Sequence, residues 1–501
     1  MSDAILNYNG KAFSVSLGRT LAECIGAERP CNGHGRCGKC KVVATGALSP
    51  IDDSERAHLS AAELKDNVRL SCRARVLGDC TVTPYNKPEQ AAVLIDGRQK
   101  KTAVSPRFQR YGVALDIGTT TLAARLYDKV GCVLSACGRL NPQNRFGADV
   151  ISRIEASLGG KAKELSLLIL NSIDEMLREL AIAAGTNVAE IDFLCLTGNT
   201  AMFYLLTASD PTALSKAPFR ADRLFGETVN AASLGISALP DDATVLLSPC
   251  ISAFVGADTT CALLATGLCD RKESAMLVDI GTNGEIALWH ENALTVCSTA
   301  AGPAFEGAGI TMGMRGAPGA IDRVQLINGR LEAHVIGDAS PVGICGSGLV
   351  DAVACLLDAE ELDESGYLDA NKVTVKGDVC LFDKDIRMLQ LAKSAICAGI
   401  ETTMQHEGVS AEQIGTLYIA GGFGNYLHPQ SAARIGLLPR ALCHKIQSKG
   451  NAALDGAAML LLDGSLLSKA RSLAETATTL ELSTSPVFSE LYMSGMLLQE
   501  I

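Results

Sequence analysis

Two short stretches constrain this chain more than anything else in it: Leu115–Thr121, LDIGTTT, and Val278–Glu285, VDIGTNGE. Each follows an apolar run with β character, at 111–115 and 275–278, and each leads into a second run, at 121–127 and 285–289. That order predicts a β-hairpin with an Asp at the strand end and a tight turn of Gly, Thr and Asn. Gly has no Cβ, so backbone N–H groups in such a turn can approach an anion closely. Thr and Asn add donors, and the Asp can hold Mg²⁺ or orient water. One copy is a weak signal; two in matching contexts predict a duplicated domain with a nucleotide between its halves.

The rest of 111–470 supports an α/β reading. Helical patterns are expected at 145–154, 161–184, 254–268, 346–357, 386–407 and 450–462. Strands are expected at 132–140, 191–196, 245–247, 294–297 and 417–420. The last runs into Gly421-Gly422-Phe423-Gly424-Asn425, and a turn so poor in side chains leaves a slot for an adenosine. The first half is placed at 111–270, the second at 271–470, and 471–501 is left as a C-terminal tail.

The segment before these halves is different. Residues 1–86 read as a small β-rich domain, with strands flanking Asn9-Gly10 and a Thr20/Glu23 capping box. Cys31, Cys37 and Cys40 are spaced C-x5-C-x2-C in PCNGHGRCGKC, and Cys72 follows in RLSCRARVLGD. Three close thiolates on a Gly-rich loop and one distant thiolate can wrap two irons. Zinc is the alternative, but only Cys37 and Cys40 form the short knuckle that zinc ribbons use twice. Residues 87–110 carry Lys87, Arg98, Lys100, Lys101, Arg107 and Arg110 against Glu89 and Asp96, and read as a solvated linker.

Composition sets the remaining bounds. The chain has 501 residues, 48% hydrophobic and 20% charged, enough for several domains with large cores. A net charge of −11 disfavours a nucleic-acid partner. The start, MSDAILNYNG, lacks a secretory pattern, and no apolar run has membrane-spanning length, so no membrane role and a cytoplasmic location are expected. Most of the 18 cysteines sit singly in apolar patterns and read as reduced core thiols.

Residues 1–86 resemble a plant- or adrenodoxin-type [2Fe–2S] ferredoxin of β-grasp fold, which implies Cys31, Cys37, Cys40 and Cys72 as cluster ligands. DIGTTT, DIGTNGE and AGGFGN resemble the ASKHA superfamily, duplicated RNase H-like domains that bind ATP in the cleft. The fusion of the two, with AGPAFEGAGI and GICGSGLVDA, resembles the reductive activators of corrinoid proteins. The fold class expected is therefore α+β multidomain: a β-grasp ferredoxin, a linker, and a duplicated RNase H-like ASKHA domain. Many members carry a further middle domain after the linker. The short 87–110 segment predicts that it is absent or vestigial here, which leaves a homodimer open.

The resemblance implies an ATP-dependent enzyme that passes an electron through a [2Fe–2S] cluster to an oxidised cobalt(II) corrinoid on a methyltransferase or corrinoid protein. The electron would come from a ferredoxin, flavodoxin or reductase. Plant-type clusters lie near roughly −400 mV, and each ~59 mV of one-electron mismatch costs tenfold in equilibrium, so ATP-driven work has a reason to be present. Asp116 and Asp279 are expected in the Mg²⁺ and water environment. Gly118, Thr119, Thr120, Gly281, Thr282 and Asn283 are expected at the phosphates, and Gly421, Gly422 and Asn425 at adenosine. Glu285 would polarise water or close its turn. Asn199, Glu306 and Ser347 are further candidates, and Ser298 and Thr299 would meet the partner's cobalt. Two alternatives are a small-molecule kinase with a redox-sensing domain and a non-catalytic electron-transfer adaptor.

Overall fold

The computed structural model describes residues 3–8, 11–25, 27, 40–59, 61–85, 105–368, 370–424 and 426–501. The chain divides into two compact units, Met1–Glu89 and Gln90–Ile501.

The first unit contains β1 (Asp3–Tyr8), β2 (Lys11–Ser16), α1 (Leu21–Ile25), β3 (Lys41–Leu48), α2 (Asp53–His58), α3 (Ala61–Lys65), β4 (Val68–Leu70) and β5 (Val76–Pro84). Its five strands lie in the order β2-β1-β5-β3-β4, with β1 and β5 parallel at the centre and β3 antiparallel to β5. The capping box forms as expected: Glu23 N–H donates to Thr20 Oγ1 at 3.3 Å, and Thr20 N–H donates to Glu23 Oε2 at 3.0 Å. Leu6, Leu21, Val76, Cys80 and Val82 fill the core.

The second unit opens with β6 (Tyr111–Ile117), β7 (Thr121–Asp128) and β8 (Val133–Leu140). Then come α4 (Val150–Ala156), α5 (Ala162–Ala184), β9 (Ile191–Gly198), α6 (Thr200–Leu206), α7 (Thr212–Ser215), β10 (Thr228–Asn230), α8 (Ala231–Leu234), β11 (Thr244–Leu247) and α9 (Ala257–Thr266). The plan then repeats with β12 (Ala275–Ile280), β13 (Gly284–His290) and β14 (Ala293–Thr299). A small excursion carries β15 (Ala320–Ile327), β16 (Arg330–Val335) and β17 (Gly343–Ile344). After it come α10 (Gly346–Asp358), β18 (Lys372–Lys376), β19 (Val379–Phe382), α11 (Asp383–Glu407), β20 (Thr416–Ala420), α12 (Pro429–Arg434), β21 (Ile446–Gly450) and α13 (Ala452–Leu462). Two six-stranded sheets result, β10-β11-β9-β6-β7-β8 and β21-β20-β12-β13-β14-β22, where β22 is Thr478–Thr479. In both, an antiparallel hairpin meets parallel strands along its first member.

The halves are joined by an exchange of helices. Ala262 and Leu263 of α9, from the first half, pack with Ala275, Leu277, Ala287, Tyr418 and Ala420 of the second sheet. Leu454, Ala457, Leu460 and Leu461 of α13, from the second half, pack with Ala114, Phe193, Cys195 and Leu246 of the first. Each fully buried Leu contributes roughly 1.5–3 kcal/mol. The two helices touch where Gly456 meets Cys261: a Cβ there would stand 1.9 Å from the Cys261 carbonyl oxygen.

Three expectations change. The helix expected at 145–154 is two elements, because a 3-10 turn, Pro142–Phe146, starts on Asn141 and stops at Gly147, and α4 restarts on an Asp149 cap. Part of the expected linker belongs to the second unit: Arg107 N–H donates to Leu461 O at 3.1 Å, and Phe108 is buried in the core around α13. The tail at 471–501 is structured, with α14 (Leu466–Thr476), β22 and α15 (Pro486–Ser494). Its last turn lies on α11, where Lys393 Nζ donates to Leu497 O and Gln390 Nε2 donates to Met496 O at 2.8 Å.

Candidate functional site

The two Gly-Thr turns meet. Thr120 and Thr282, 162 residues apart in sequence, place their hydroxyls 2.9 Å from each other. Thr282 also donates to Glu306 Oε1 at 3.0 Å, so Glu306 stands beside the second turn. Gly118, Thr119, Gly281 and Asn283 are half-buried in the same two turns. Gly118 is sterically required, since a Cβ would lie 2.6 Å from Thr121 O.

Behind the turns four carboxyls gather, brought there by strand ends and a helix start. Asp116 is next to last in β6, Asp279 next to last in β12, Glu285 lies opposite Asp279 in register on β13, and Asp258 sits in the first turn of α9. Burial raises the pKa of Asp116 to about 7, eased by Asn451 and worsened by Asp258. Burial, then the charges of Asp258 and Asp116, raise Asp279 to about 7. Burial raises Asp258 to about 6. Glu285 is pushed well above the usual carboxylate range by burial, then by Asp258 and Asp279, against a hydrogen bond from Asn283. Mutual repulsion in a desolvated cluster is what a bound divalent cation relieves.

Asp258 and Asn451 are the residues that sequence reasoning missed. Asn451 caps α13 by accepting from Leu454 N–H at 2.7 Å, and its Nδ2 donates to Asp116 Oδ2 at 2.9 Å. Only the helix-start position of Asp258, GADTT, hinted at a role; nothing near Asn451 pointed 335 residues back.

The expected adenosine turn lies against the second carboxylate. Gly421 has φ +89°, and a Cβ there would stand 2.8 Å from Asp279 Oδ1 and 2.4 Å from Ile280 O. Gly422 faces open space, and Phe423 stacks on Phe305 with ring centres 4.8 Å apart. Asn425 lies outside the described residues.

Other candidates have local duties. Asn199 caps α6 through Ala201 N–H and donates to Phe254 O. Ser347 donates to Asp322 O at 2.8 Å. Ser298 is half-buried and in register with Glu285, so the two share one face of the second sheet. Thr299 is 6% exposed, with its methyl close to Gly284.

In the first unit Cys40 and Cys72 come together, both buried, with sulfurs 3.2 Å apart. Leu59, Val68 and Leu70 form the apolar shell around them. The strand that delivers Cys72 is pinned by Arg69, whose Nε and Nη2 fork onto Glu55 at 2.8 and 2.7 Å, while Leu70 N–H donates to Glu55 Oε1. Cys31 and Cys37 lie outside the described residues. Cys80 belongs to the core of the sheet, where burial raises its pKa.

Comparison with known proteins fits this geometry. A family model described as the C-terminal domain of RACo, the ASKHA domain, matches residues 273–501, and one described as the RACo middle region matches 111–271. The second match corrects the expectation of a missing middle domain. That region is present, in the residues read as the first half, so the short linker says nothing about it. The chain is 37% identical over 418 residues to the corrinoid activation enzyme RamQ of Eubacterium limosum, covering 76% of this chain and 69% of that one. It is 25% identical over 419 residues to a Methanosarcina barkeri protein named [Co(II) methylated amine-specific corrinoid protein] reductase, covering 76% of each. Its fold matches the solved structure of a reductive activator for corrinoid,iron-sulfur protein, with TM-score 0.74 and 26% identity over 99% of this chain and 98% of that one.

Proposed function

Because this chain belongs to the family of reductive activators of corrinoid proteins, we propose that it returns a cobalt(II) corrinoid protein to cobalt(I), using one electron from a [2Fe–2S] cluster and the hydrolysis of Mg²⁺-ATP. The observation that carries the reading is the meeting of the two Gly-Thr turns above four repelling carboxyls. Gly118, Thr119, Thr120, Gly281, Thr282 and Asn283 receive the phosphates, and Gly421 and Gly422 leave room for adenosine, which Asn425 is assigned to bind. Asp116 and Asp279 hold Mg²⁺ and its water, Asp258 sets their proton affinity, and Glu285 takes or gives a proton at the attacking water. Bound ATP supplies the free energy, and closure of the halves excludes bulk water from the cleft.

The β1–β5 parallel pairing and the adjacent Cys40 and Cys72 thiols support the ferredoxin reading of the first unit. Two thiols this close suit a shared iron, with Cys31 and Cys37 completing the set. A cluster held there supplies electrons singly at low potential. The apolar shell keeps water from the sulfurs, and Glu55–Arg69 fixes where Cys72 stands.

The test is an anaerobic assay with a cobalt(II) corrinoid protein and a chemical reductant, followed by cobalt absorbance. Reduction that requires both Mg²⁺-ATP and an intact cluster is expected. Cys72→Ala should lose iron and activity, and Cys80→Ala should keep both. A phosphorylated small molecule formed in step with ATP loss would replace this reading with a kinase, and reduction indifferent to nucleotide would replace it with an adaptor.

A further inference from the structure

The first phosphate turn is gripped from behind by one side chain that no motif includes. Asn141 is 1% exposed. Its backbone N–H donates to Thr120 O at 2.9 Å, and its Nδ2 donates to Gly118 O at 2.9 Å. Its Oδ1 accepts from Gln143 N–H at 2.9 Å, capping the 3-10 turn. One residue therefore clips the first and third carbonyls of Gly118-Thr119-Thr120. In a trans peptide the N–H points opposite to the C=O, so fixing the Gly118 carbonyl turns the Thr119 N–H away from Asn141. A turn that binds an anion through its amides needs that orientation.

Arg153 holds Asn141's own turn in place. It is 0% exposed and forks onto the middle of that turn and its C-terminal stop, Nη2 to Asn144 Oδ1 and Nε to Gly147 O at 3.0 Å. Its Nη1 lies 3.7 Å from Met202 Sδ, the sulfur that Asn141 Nδ2 approaches at 3.9 Å. Burial lowers its pKa to about 10 against the charges of Asp149 and Glu306, so it stays charged at neutral pH.

We propose that Asn141 is a positioning residue for nucleotide binding: it holds the Gly118–Thr120 turn in its phosphate-receiving shape before ATP arrives, and Arg153 anchors it. This rests on the reading of the cleft as the nucleotide site. The full-length protein is compared with Asn141→Ser and Asn187→Ser by calorimetric titration with Mg²⁺-ATP, steady-state ATPase and thermal melting. Ser at 141 retains a cap for Gln143 N–H but is too short for Gly118 O. Asn187 is an equivalent cap, for Ala189 N–H, at the far end of β9.

Asn141→Ser should weaken ATP binding and raise KM about tenfold, with kcat within about twofold, the scale of one lost brace and one stranded carbonyl. Asn187→Ser should leave both unchanged. Hydrogen exchange on the unmutated protein adds a test that needs no variant: the Asn141 backbone amide, which donates to Thr120 O, should be protected without nucleotide. Unchanged affinity in Asn141→Ser, a fall in kcat without a rise in KM, or fast exchange of the Asn141 amide would each overturn the proposal. An unmutated protein that binds no ATP at all would instead overturn the nucleotide reading beneath it.

Discussion

The two Gly-Thr turns share a motif but not a means of support. The second closes on itself through Gly281 N–H, which donates to Asn283 O at 3.0 Å, and its outside support is a backbone group, Gly302 N–H, which donates to Thr282 O at 2.9 Å. The first has no such internal bond among those described, and Asn141 holds both its ends from outside. Their acids differ in the same sense. Asp116 receives an amide donor from Asn451, whereas Asp279 is raised by burial and then by the charges of Asp258 and Asp116. A duplicated hairpin thus carries its Asp and Gly with it, while the groups that stiffen and charge it are recruited separately in each half.

The largest effect should come from removing the acids. Asp116→Ala and Asp279→Ala should each depress ATPase turnover roughly a hundred- to a thousandfold while iron content stays intact. Equal losses would show that both turns serve the metal and water. A loss confined to one would break the symmetry, and unmutated rates in both would remove the carboxyls from the chemistry.

Next in size is the response to pH without a cation. Asp116 and Asp279, at about 7, bind protons in the folded state that the unfolded chain, near 3.8, has already released. Their contribution to stability is present at low pH and is lost as pH rises between those values. The pair Asp116→Asn, Asp279→Asn should therefore gain melting temperature over the unmutated protein at pH 8 and lose that gain near pH 5. Mg²⁺ should raise the unmutated protein's melting temperature more at pH 8 than at pH 5, since it competes with those protons. A difference independent of pH would separate the two acids from the shift.

The contact between the turns is a smaller matter. Thr120→Val removes one hydroxyl pair, on the order of 1 kcal/mol. Thr282→Val also takes the donor from Glu306, and should cost about 1–3 kcal/mol in a denaturant titration. The reverse order would place the hinge of the contact in the first half.

Ser298→Ala should be the smallest change and the most discriminating. A roughly threefold change in ATPase with an unaltered cobalt spectrum would assign the hydroxyl to Glu285, beside which it stands. A changed cobalt(II) spectrum with normal ATPase would assign it to the partner's metal.

What could be read in advance follows from the range of each interaction. The hairpins were legible because apolar runs ending in Asp and Gly carry strand period and turn chemistry within a dozen residues. The long helix α5 was legible for the same reason, through its 3.6-residue stripe. The supports of the site were not, because Asn141, Asp258 and Asn451 act on Asp116 or Gly118 only after the sheets are assembled. The tail escaped because β22 and α15 are short and take their form from the strand and helix they lie on.

The exchange of α9 and α13 also bears on how the protein is made. A nascent chain finishes β6, β7, β9 and β11 some 200 residues before the ribosome releases α13, their cover. Through that interval Ala114, Ala123, Phe193, Cys195 and Leu246 lack part of their cover, leaving apolar surface of the kind on which chaperones act and aggregates start. A fragment ending at residue 271 would leave α9 as the helix on that wall and would lack α13 permanently. The halves can be named separately, but each borrows a helix from the other to close its core.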